Sequence, residues 1–166
     1  EVDGTSGATV EITAANTGGN DTNVGTLKVD ATNGLSIDTN PADASQASGT
    51  IDLDSIVLDG AGAVVLTTSG DDGAVQSTVA GGVQLGDVGT TTPVASLTVD
   101  TRAATTAGTL SIASSDGDTT ATINVDGGGN IDLTNAVDID LLADTELDTD
   151  AAGGSSDAGQ VLLGGG

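Results

Sequence analysis

The sequence predicts an all-β protein and, within that class, a parallel β-solenoid in which short strands stack in coils around a thin aliphatic core. Three observations lead to this prediction. The 166 residues include no Phe, Trp, Tyr, Cys, Met or His. Their aliphatic residues recur in pairs that flank a single residue, and Gly, Asn, Asp, Ser and Thr fill the intervals. Such short alternation between turn formers is the pattern of a strand with one buried face and one face in water.

Thirteen segments have the pattern aliphatic–X–aliphatic, and X is polar in ten of them. In chain order the predicted strands contain residues 10–12, 27–29, 35–37, 51–53, 56–58, 64–66, 83–85, 97–99, 110–112, 123–125, 131–133, 137–139 and 161–163. Turn formers stand between them. Asn33-Gly34 and Asp59-Gly60 are dipeptides favoured in tight bends, and Gly127 to Asn130 supplies residues that accept positive φ.

The predicted strands also repeat. Gly-Thr precedes the aliphatic pair at Gly25, Gly49 and Gly108, and from Val83 the segments begin at positions 83, 97, 110 and 123. Self-similarity of this kind indicates a repeat architecture. With roughly 20 residues in each coil and about 4.8 Å between coils, the chain would make about eight coils and a rod on the order of 40 Å long.

An antiparallel β-sandwich is the alternative, since the same strands would also form two facing sheets. Aromatic rings normally help to fill the space between two sheets, and this chain has none. Val, Ile, Leu and Ala suit a narrower interior, so the solenoid is favoured, with residues 1–166 as a single repetitive β domain. Because the sequence begins at Glu1 rather than Met, we expect a processed product or a segment of something longer. No polar helix or atypical sequence would cap the terminal coils, so the domain is expected to be a segment of a longer chain or one subunit of a filament.

Charge limits the partners. The chain has 25 acidic and 2 basic residues, for a net charge of −23. Nucleic acid and anionic membranes are bound mainly through Lys and Arg, so we expect neither as a partner. No apolar run is long enough to span a membrane. The acidity, the absence of Cys and the abundance of Thr, Asn and Gly together favour an extracellular, cell-surface location.

The stretch from Gly81 to Val99, GGVQLGDVGTTTPVASLTV, resembles the β-strand repeats of filamentous-haemagglutinin-like bacterial surface adhesins. The likeness is best over residues 81–133, where GTLSI and GGGNIDL continue the same alternation of aliphatic and polar residues after glycine. This resemblance implies a right-handed β-helix and a role as a surface stalk or fibre. It implies no catalytic residue, because such repeats have none.

The acidic C-terminal part offers a candidate calcium site. Its residues are Asp138, Asp140, Asp144, Glu146 and Asp148. With Ile139 facing inward, Asp138 and Asp140 share the outer face of their strand, and carboxylate oxygens are the ligands that Ca²⁺ prefers. The spacing matches neither an EF-hand loop nor the calcium-binding nonapeptide. A solvated acidic face is the alternative interpretation, and calcium is the one cofactor that the sequence suggests.

Weaker candidates are four in number. Asp116-Gly117-Asp118 and Asp71-Asp72-Gly73 are first of all turn sequences. Lys28 and Arg102 each stand two residues from an acid, Asp30 and Asp100, as expected for exposed ion pairs. Asn20 begins the one N-glycosylation sequon. Paired carboxylates also serve glycosidases, but this chain lacks the aromatic platforms of sugar sites, so we expect no enzyme.

The sequence therefore predicts a non-enzymatic extracellular structural protein that forms a surface stalk, fibre or sheath of a microbial cell. A self-polymerising β-sandwich subunit joined by strand donation is one alternative, and a calcium-dependent adhesive module is another. The expected partners are copies of the chain or adjoining repeats of a longer one. Ligands on cell surfaces or in the matrix are a further class.

Overall fold

A computed structural model describes residues 2–3, 10–11, 27–31, 33–39, 47–69, 79–115, 118–150 and 158–164. This part of the chain contains fifteen strands and no helix. The strands are β1 Val2–Asp3, β2 Val10–Glu11, β3 Leu27–Asp30, β4 Leu35–Asp38, β5 Ile51–Leu53, β6 Ile56–Asp59, β7 Ala63–Thr67, β8 Val83–Leu85, β9 Ser96–Asp100, β10 Thr109–Ile112, β11 Thr120–Asn124, β12 Ile131–Asn135, β13 Asp138–Leu141, β14 Asp144–Asp148 and β15 Val161–Leu163. All thirteen predicted segments lie in or overlap a strand, and the structure adds β1 and β14.

The strands form three parallel stacks, which are the three sides of a β-solenoid. Side A has the order β1-β4-β7-β9-β12-β15, and side B has the order β2-β5-β8-β10-β13. Side C consists of the pairs β3-β6 and β11-β14, which Val88 joins through single bridges to Leu58 and Ile123. Every pairing between described strands is parallel. The prediction of a parallel solenoid is therefore confirmed, and the antiparallel sandwich is excluded.

The coils are longer than the sequence predicted. On side A, Ile37 pairs with Leu66, 29 positions later, and Val2 pairs with Ile37, 35 positions later. The estimate of roughly 20 residues in a coil and eight coils was wrong, because each coil carries strands on three sides joined by long corners. The interval of 13 to 14 residues after Val83 is the spacing along the chain between one strand and the next, which lie on different sides of the same or the following coil. Six strands on side A, spaced by about 4.8 Å, span about 24 Å.

The core consists of columns of aliphatic side chains, one residue from each coil. On side B, Leu53 pairs with Leu85, Leu85 with Ile112, and Ile112 with Leu141. The first three of these side chains are at most 1% exposed. Because full burial of an aliphatic side chain contributes about 1.5–3 kcal/mol, these columns stabilise each coil against its neighbours. The predicted thin aliphatic core is confirmed.

Buried threonines and glycines form one corner, between side A and side B. Thr39 Oγ1 donates a hydrogen bond to the Gly49 carbonyl oxygen at 2.8 Å, and Thr68 Oγ1 donates to the Gly81 carbonyl oxygen at 2.7 Å. Gly49, Gly81 and Gly108 stack so closely that a Cβ on Gly81 or Gly108 would collide with the carbonyl group below it. The corner therefore explains the Gly-Thr lead-in at positions 49 and 108, whereas Gly25 lies outside the described residues.

Turns join the sides where the sequence placed them. In the predicted bend at Asn33-Gly34, the Gly34 N–H donates to the Ala31 carbonyl oxygen at 2.8 Å, and Gly34 has a φ of 90°. Gly127 and Gly128 also have positive φ angles, of 67° and 79°. Glycine has no Cβ to oppose this conformation, so these bends require little strain. No helix in the described ranges is long and apolar enough to cross a membrane.

Candidate functional site at the C-terminal end of the solenoid

The structure divides the predicted calcium ligands between two sides of the solenoid. Asp138 and Asp140 are exposed on β13 of side B, and Ile139 between them packs partly against the core, as the alternation predicted. The other three, Asp144, Glu146 and Asp148, lie on β14 of side C. The two groups therefore belong to different faces.

Within each group, the neighbouring strand contributes hydroxyl and amide side chains rather than further carboxylates. Asp140 pairs with Ser111, Glu146 with Thr122, and Asp148 with Asn124. Asp148 Oδ1 also accepts the Asp150 N–H at 2.8 Å, which closes the turn after β14. In the described parts of the chain, no three acidic residues gather as a metal-binding group. Calcium binding by these five residues stays a prediction, as does the alternative of a solvated acidic face, and the two differ in the response to divalent cations considered in the Discussion.

The weaker candidates have structural roles where they can be seen. Arg102 Nη2 lies 2.6 Å from Asp100 Oδ2, so the predicted ion pair is present. Asp118 Oδ1 accepts the Thr120 N–H at 2.7 Å at the start of β11. The structure does not describe Asp116, Gly117, residues 71–73 or the sequon at Asn20. The side chains of Lys28 and Asp30 also lie outside the described part.

A buried carboxylate that the sequence did not reveal holds two coils together. Asp87 is 1% exposed, and its Oδ2 accepts hydrogen bonds from Ser115 Oγ at 2.6 Å and from the Ser115 N–H at 2.8 Å. Its Oδ1 accepts the Thr122 N–H at 2.7 Å. Side C has only the bridge residue Val88 in this coil, so Asp87 supplies links that a regular strand would make with its backbone. Nothing in its local sequence, Gly86-Asp87-Val88, distinguishes it from the other acidic residues.

The aliphatic columns come to the surface at the C-terminal end. Leu141 occupies the same column as the buried Leu85 and Ile112, yet it is 59% exposed. Leu163, which pairs with the buried Leu133, is 61% exposed. No described strand pairs with the outer edge of β13, β14 or β15. Three strand edges and the exposed ends of the columns at Leu141 and Leu163 therefore lie at this end of the described structure, and we call this surface the end face.

A cavity of about 290 Å³ opens in the end face. Its wall consists mostly of aliphatic side chains, namely Ile112, Leu133, Ile139, Leu141, Leu147 and Leu163, together with Thr145 and Gly164. Its position follows from the topology. On side A, β15 begins a further coil, whereas the last described strands of sides B and C, β13 and β14, lie one layer lower. The cavity therefore lies where the next strands of sides B and C would pack.

Comparison of the chain with family models, with curated proteins and with solved structures yields no match. The chemistry of the end face is therefore argued from its own residues. Aliphatic side chains in register and open backbone edges are what one coil presents to the next throughout the solenoid. A surface of this kind suits another β-coil, whose strands would satisfy the open edges while its aliphatic side chains extend the columns.

Proposed function

We propose that this chain is a non-enzymatic structural protein of a microbial cell surface, and that it forms a rigid segment of an extracellular stalk, fibre or sheath. The observation that carries the proposal is the set of parallel ladders on three sides, each running along the same axis. Because neighbouring coils pair through parallel strands or bridges on each side, such a structure lengthens by adding coils without changing its cross-section. This property suits a spacer or fibre.

The distribution of charge supports an exposed location. Of the acidic residues at the C-terminal end, Asp138, Asp140, Asp144 and Glu146 are exposed to solvent, whereas the interior is aliphatic. With a net charge of −23, rods of this kind repel one another along their lengths and remain dispersed at moderate salt.

The resemblance of residues 81–133 to filamentous-haemagglutinin-like repeats supports the same proposal. Those residues contain strands β8 to β12, which include members of all three sides. A solenoid is the fold that the resemblance implied, and the surface stalk role is the function it implied. Under this proposal, one coil of about 30 residues is the repeating unit of the stalk, and residues 81–133 show its alternating pattern most regularly.

Immunogold electron microscopy of the source organism tests the proposal. Antibodies raised against the purified chain should label the outside of intact cells, while antibodies against a cytoplasmic protein should label only permeabilised cells. A surface stalk or fibre places the gold particles away from the membrane, at distances that exceed the length of one 166-residue unit. Labelling that appears only after permeabilisation would overturn the proposal.

A further inference from the structure

Side C contains a short insertion between Val88 and Val94. Val88 bridges Ile123, and Val94 bridges Val125, in the following coil. The two partners are two positions apart, whereas the two valines are six positions apart, so this coil has four more residues here than its neighbour. We call the residues between the valines, 89–93 with the sequence GTTTP, the threonine loop.

The two ends of the threonine loop meet at the surface of the solenoid. Gly89 has a φ of 69°, and a Cβ on it would lie 2.9 Å from Pro93 Cα and would collide with the Asn124 carbonyl oxygen. Glycine accepts both this φ and the close approach. The flanking valines are buried, whereas Thr90, Thr91 and Thr92 are all exposed. The three threonines therefore form the tip of a closed loop that projects from side C.

Both neighbouring coils hold the backbone of the threonine loop. Asp59, which is only 9% exposed, accepts the Thr91 N–H at 2.9 Å and the Thr92 N–H at 3.3 Å, both through Oδ1. From the other side, Asn124 Nδ2 donates to the Gly89 carbonyl oxygen at 3.2 Å. These contacts fix the loop before any partner arrives, which lowers the entropy cost of its binding to an enzyme.

We propose that the threonine loop is an O-glycosylation site, where threonine hydroxyl groups accept monosaccharides from a nucleotide-activated sugar. A projecting loop can enter the active site of a transferase, whereas strands that lie within a parallel stack cannot. Threonines followed by proline are also the composition of O-glycosylated stalks, and Pro93 directly follows the three threonines. The inference goes beyond the proposed function, which assigns no modification to the chain.

The transfer forms one bond and breaks one. The threonine Oγ attacks the anomeric carbon of the sugar, and the bond from that carbon to the phosphate oxygen breaks. The nucleoside diphosphate leaves with the electron pair, and the hydroxyl proton passes to a base of the transferase. A neutral sugar adds bulk and hydroxyl groups without charge. A phosphoryl group would add about two negative charges to a chain of charge −23, so charge favours a sugar at this loop.

Thr105 and Thr106 provide an internal comparison, since both are also exposed. Thr106 forms a bridge with Val79, and its carbonyl oxygen accepts the Ala80 N–H at 3.0 Å. The backbone here belongs to the stack of coils rather than to a projecting loop, and no proline follows. We therefore expect this pair to remain unmodified.

Mass spectrometry of the protein purified from the source organism tests the inference. Cleavage before aspartate releases residues 87–99, which contain the threonine loop, and residues 100–115, which contain Thr105 and Thr106. The first peptide should carry the added mass of at least one monosaccharide residue, and electron-transfer fragmentation should locate it on the loop threonines. The second peptide should have its unmodified mass.

Substitution in the source organism tests the acceptor residues. T90A/T91A/T92A should abolish the added mass on residues 87–99, because no loop hydroxyl remains. The matched control T105A/T106A removes exposed hydroxyl groups elsewhere and should leave the added mass unchanged. Circular dichroism of both variants checks that they fold like the unsubstituted protein, and the measurement on the unsubstituted protein requires no variant.

Four results would overturn the inference: an unmodified peptide 87–99, a phosphate on it in place of a sugar, equal modification of Thr105 and Thr106, or added mass that persists in T90A/T91A/T92A. None of these would affect the labelling test above, since a chain without sugar can still be displayed on cells. Conversely, a glycosylated loop on a protein that is labelled only after permeabilisation would overturn the proposed function and leave the inference intact.

Discussion

Ser115 donates two hydrogen bonds to Asp87, one from its hydroxyl and one from its backbone N–H, and these join two successive coils of the solenoid. Ser115 Oγ in turn accepts the Asp87 N–H at 3.1 Å, so the two residues bind each other reciprocally. They lie in the coil where side C has the fewest backbone pairings, since Val88 alone bridges Leu58 and Ile123 there. A buried carboxylate with several donors substitutes there for a strand.

Replacement of Asp87 should therefore destabilise the protein strongly. Asp87→Ala leaves the N–H groups of the half-buried Ser115 and Thr122 without their acceptor, and we expect a loss of about 3 kcal/mol in the free energy of unfolding. Denaturant titration followed by circular dichroism measures this loss. The matched control is Asp140→Ala, which removes an exposed carboxylate and should change stability by no more than about 0.5 kcal/mol. Equal effects of the two substitutions would contradict the assigned role of Asp87.

Two leucines of one column should differ widely in their contribution to stability. Leu85 is buried between Leu53 and Ile112, whereas Leu141 ends the same column at the surface. We expect Leu85→Ala to cost about 2–5 kcal/mol, because it leaves a cavity that the neighbouring coils cannot close. Leu141→Ala should cost under about 1 kcal/mol when the protein is monomeric. Thermal and chemical unfolding at low protein concentration measure both variants, and a larger loss for Leu141→Ala would exclude the columns as the main source of stability.

Two buried threonines should respond in opposite directions to the loss of their hydroxyl groups. Thr68 Oγ1 donates to the Gly81 carbonyl oxygen, but Thr101 Oγ1, in the equivalent place one coil later, is buried without a hydrogen-bond partner. Thr68→Val should destabilise the protein by about 1–2 kcal/mol, because a buried acceptor loses its donor. Thr101→Val removes an unpaired polar atom and should be neutral or stabilising by up to about 1 kcal/mol. Parallel melting curves of the two variants test this, and a strong loss with Thr101→Val would indicate a partner for that hydroxyl.

Divalent cations should stabilise the protein through general screening, since the five predicted ligands lie on two sides of the solenoid. We expect Ca²⁺ and Mg²⁺ at equal ionic strength to raise the melting temperature by the same amount, because both reduce repulsion within a chain of charge −23. Differential scanning fluorimetry with each cation, and with NaCl as the monovalent control, measures the shifts. A larger shift with Ca²⁺ that is lost in Asp144→Asn/Glu146→Gln would instead establish a specific calcium site on β14.

Local patterns predicted thirteen of the fifteen described strands, and there is a physical reason why the pattern missed β14. The segments at 51–53, 83–85 and 110–112 show strict alternation, and each lies in a strand with both aliphatic residues buried. By contrast, β14 contains no aliphatic pair, since Thr145 stands at the first inward position and Leu147 at the second. It is a strand because β11 pairs with it along five residues. Pairing of this kind depends on residues more than 20 positions away, which alternation within a segment does not show.

The candidate sites were less predictable than the fold. Asp138 and Asp140 face solvent as alternation required, but their separation from Asp144 and Glu146 depends on the corner between side B and side C. Asp87 was not identified at all. Its environment comes from Ser115 and Thr122, which are 28 and 35 positions later in the chain. A carboxylate after glycine has the same local signature whether it closes an exposed turn or binds a neighbouring coil.

The sequence by itself determined that this protein is all β, that its strands have one aliphatic face and one polar face, and that its core is thin. These properties follow from alternation and from the absence of large rings, both of which act within a few residues. Only the tertiary structure decided the three sides, the coils of about 30 residues and the buried hydrogen bonds of Asp87. It also decided that β15 lies one layer beyond β13, which leaves the cavity of the end face. Each depends on hydrogen bonds and packing between residues about one coil apart, whose free energy exists only when the coils are stacked.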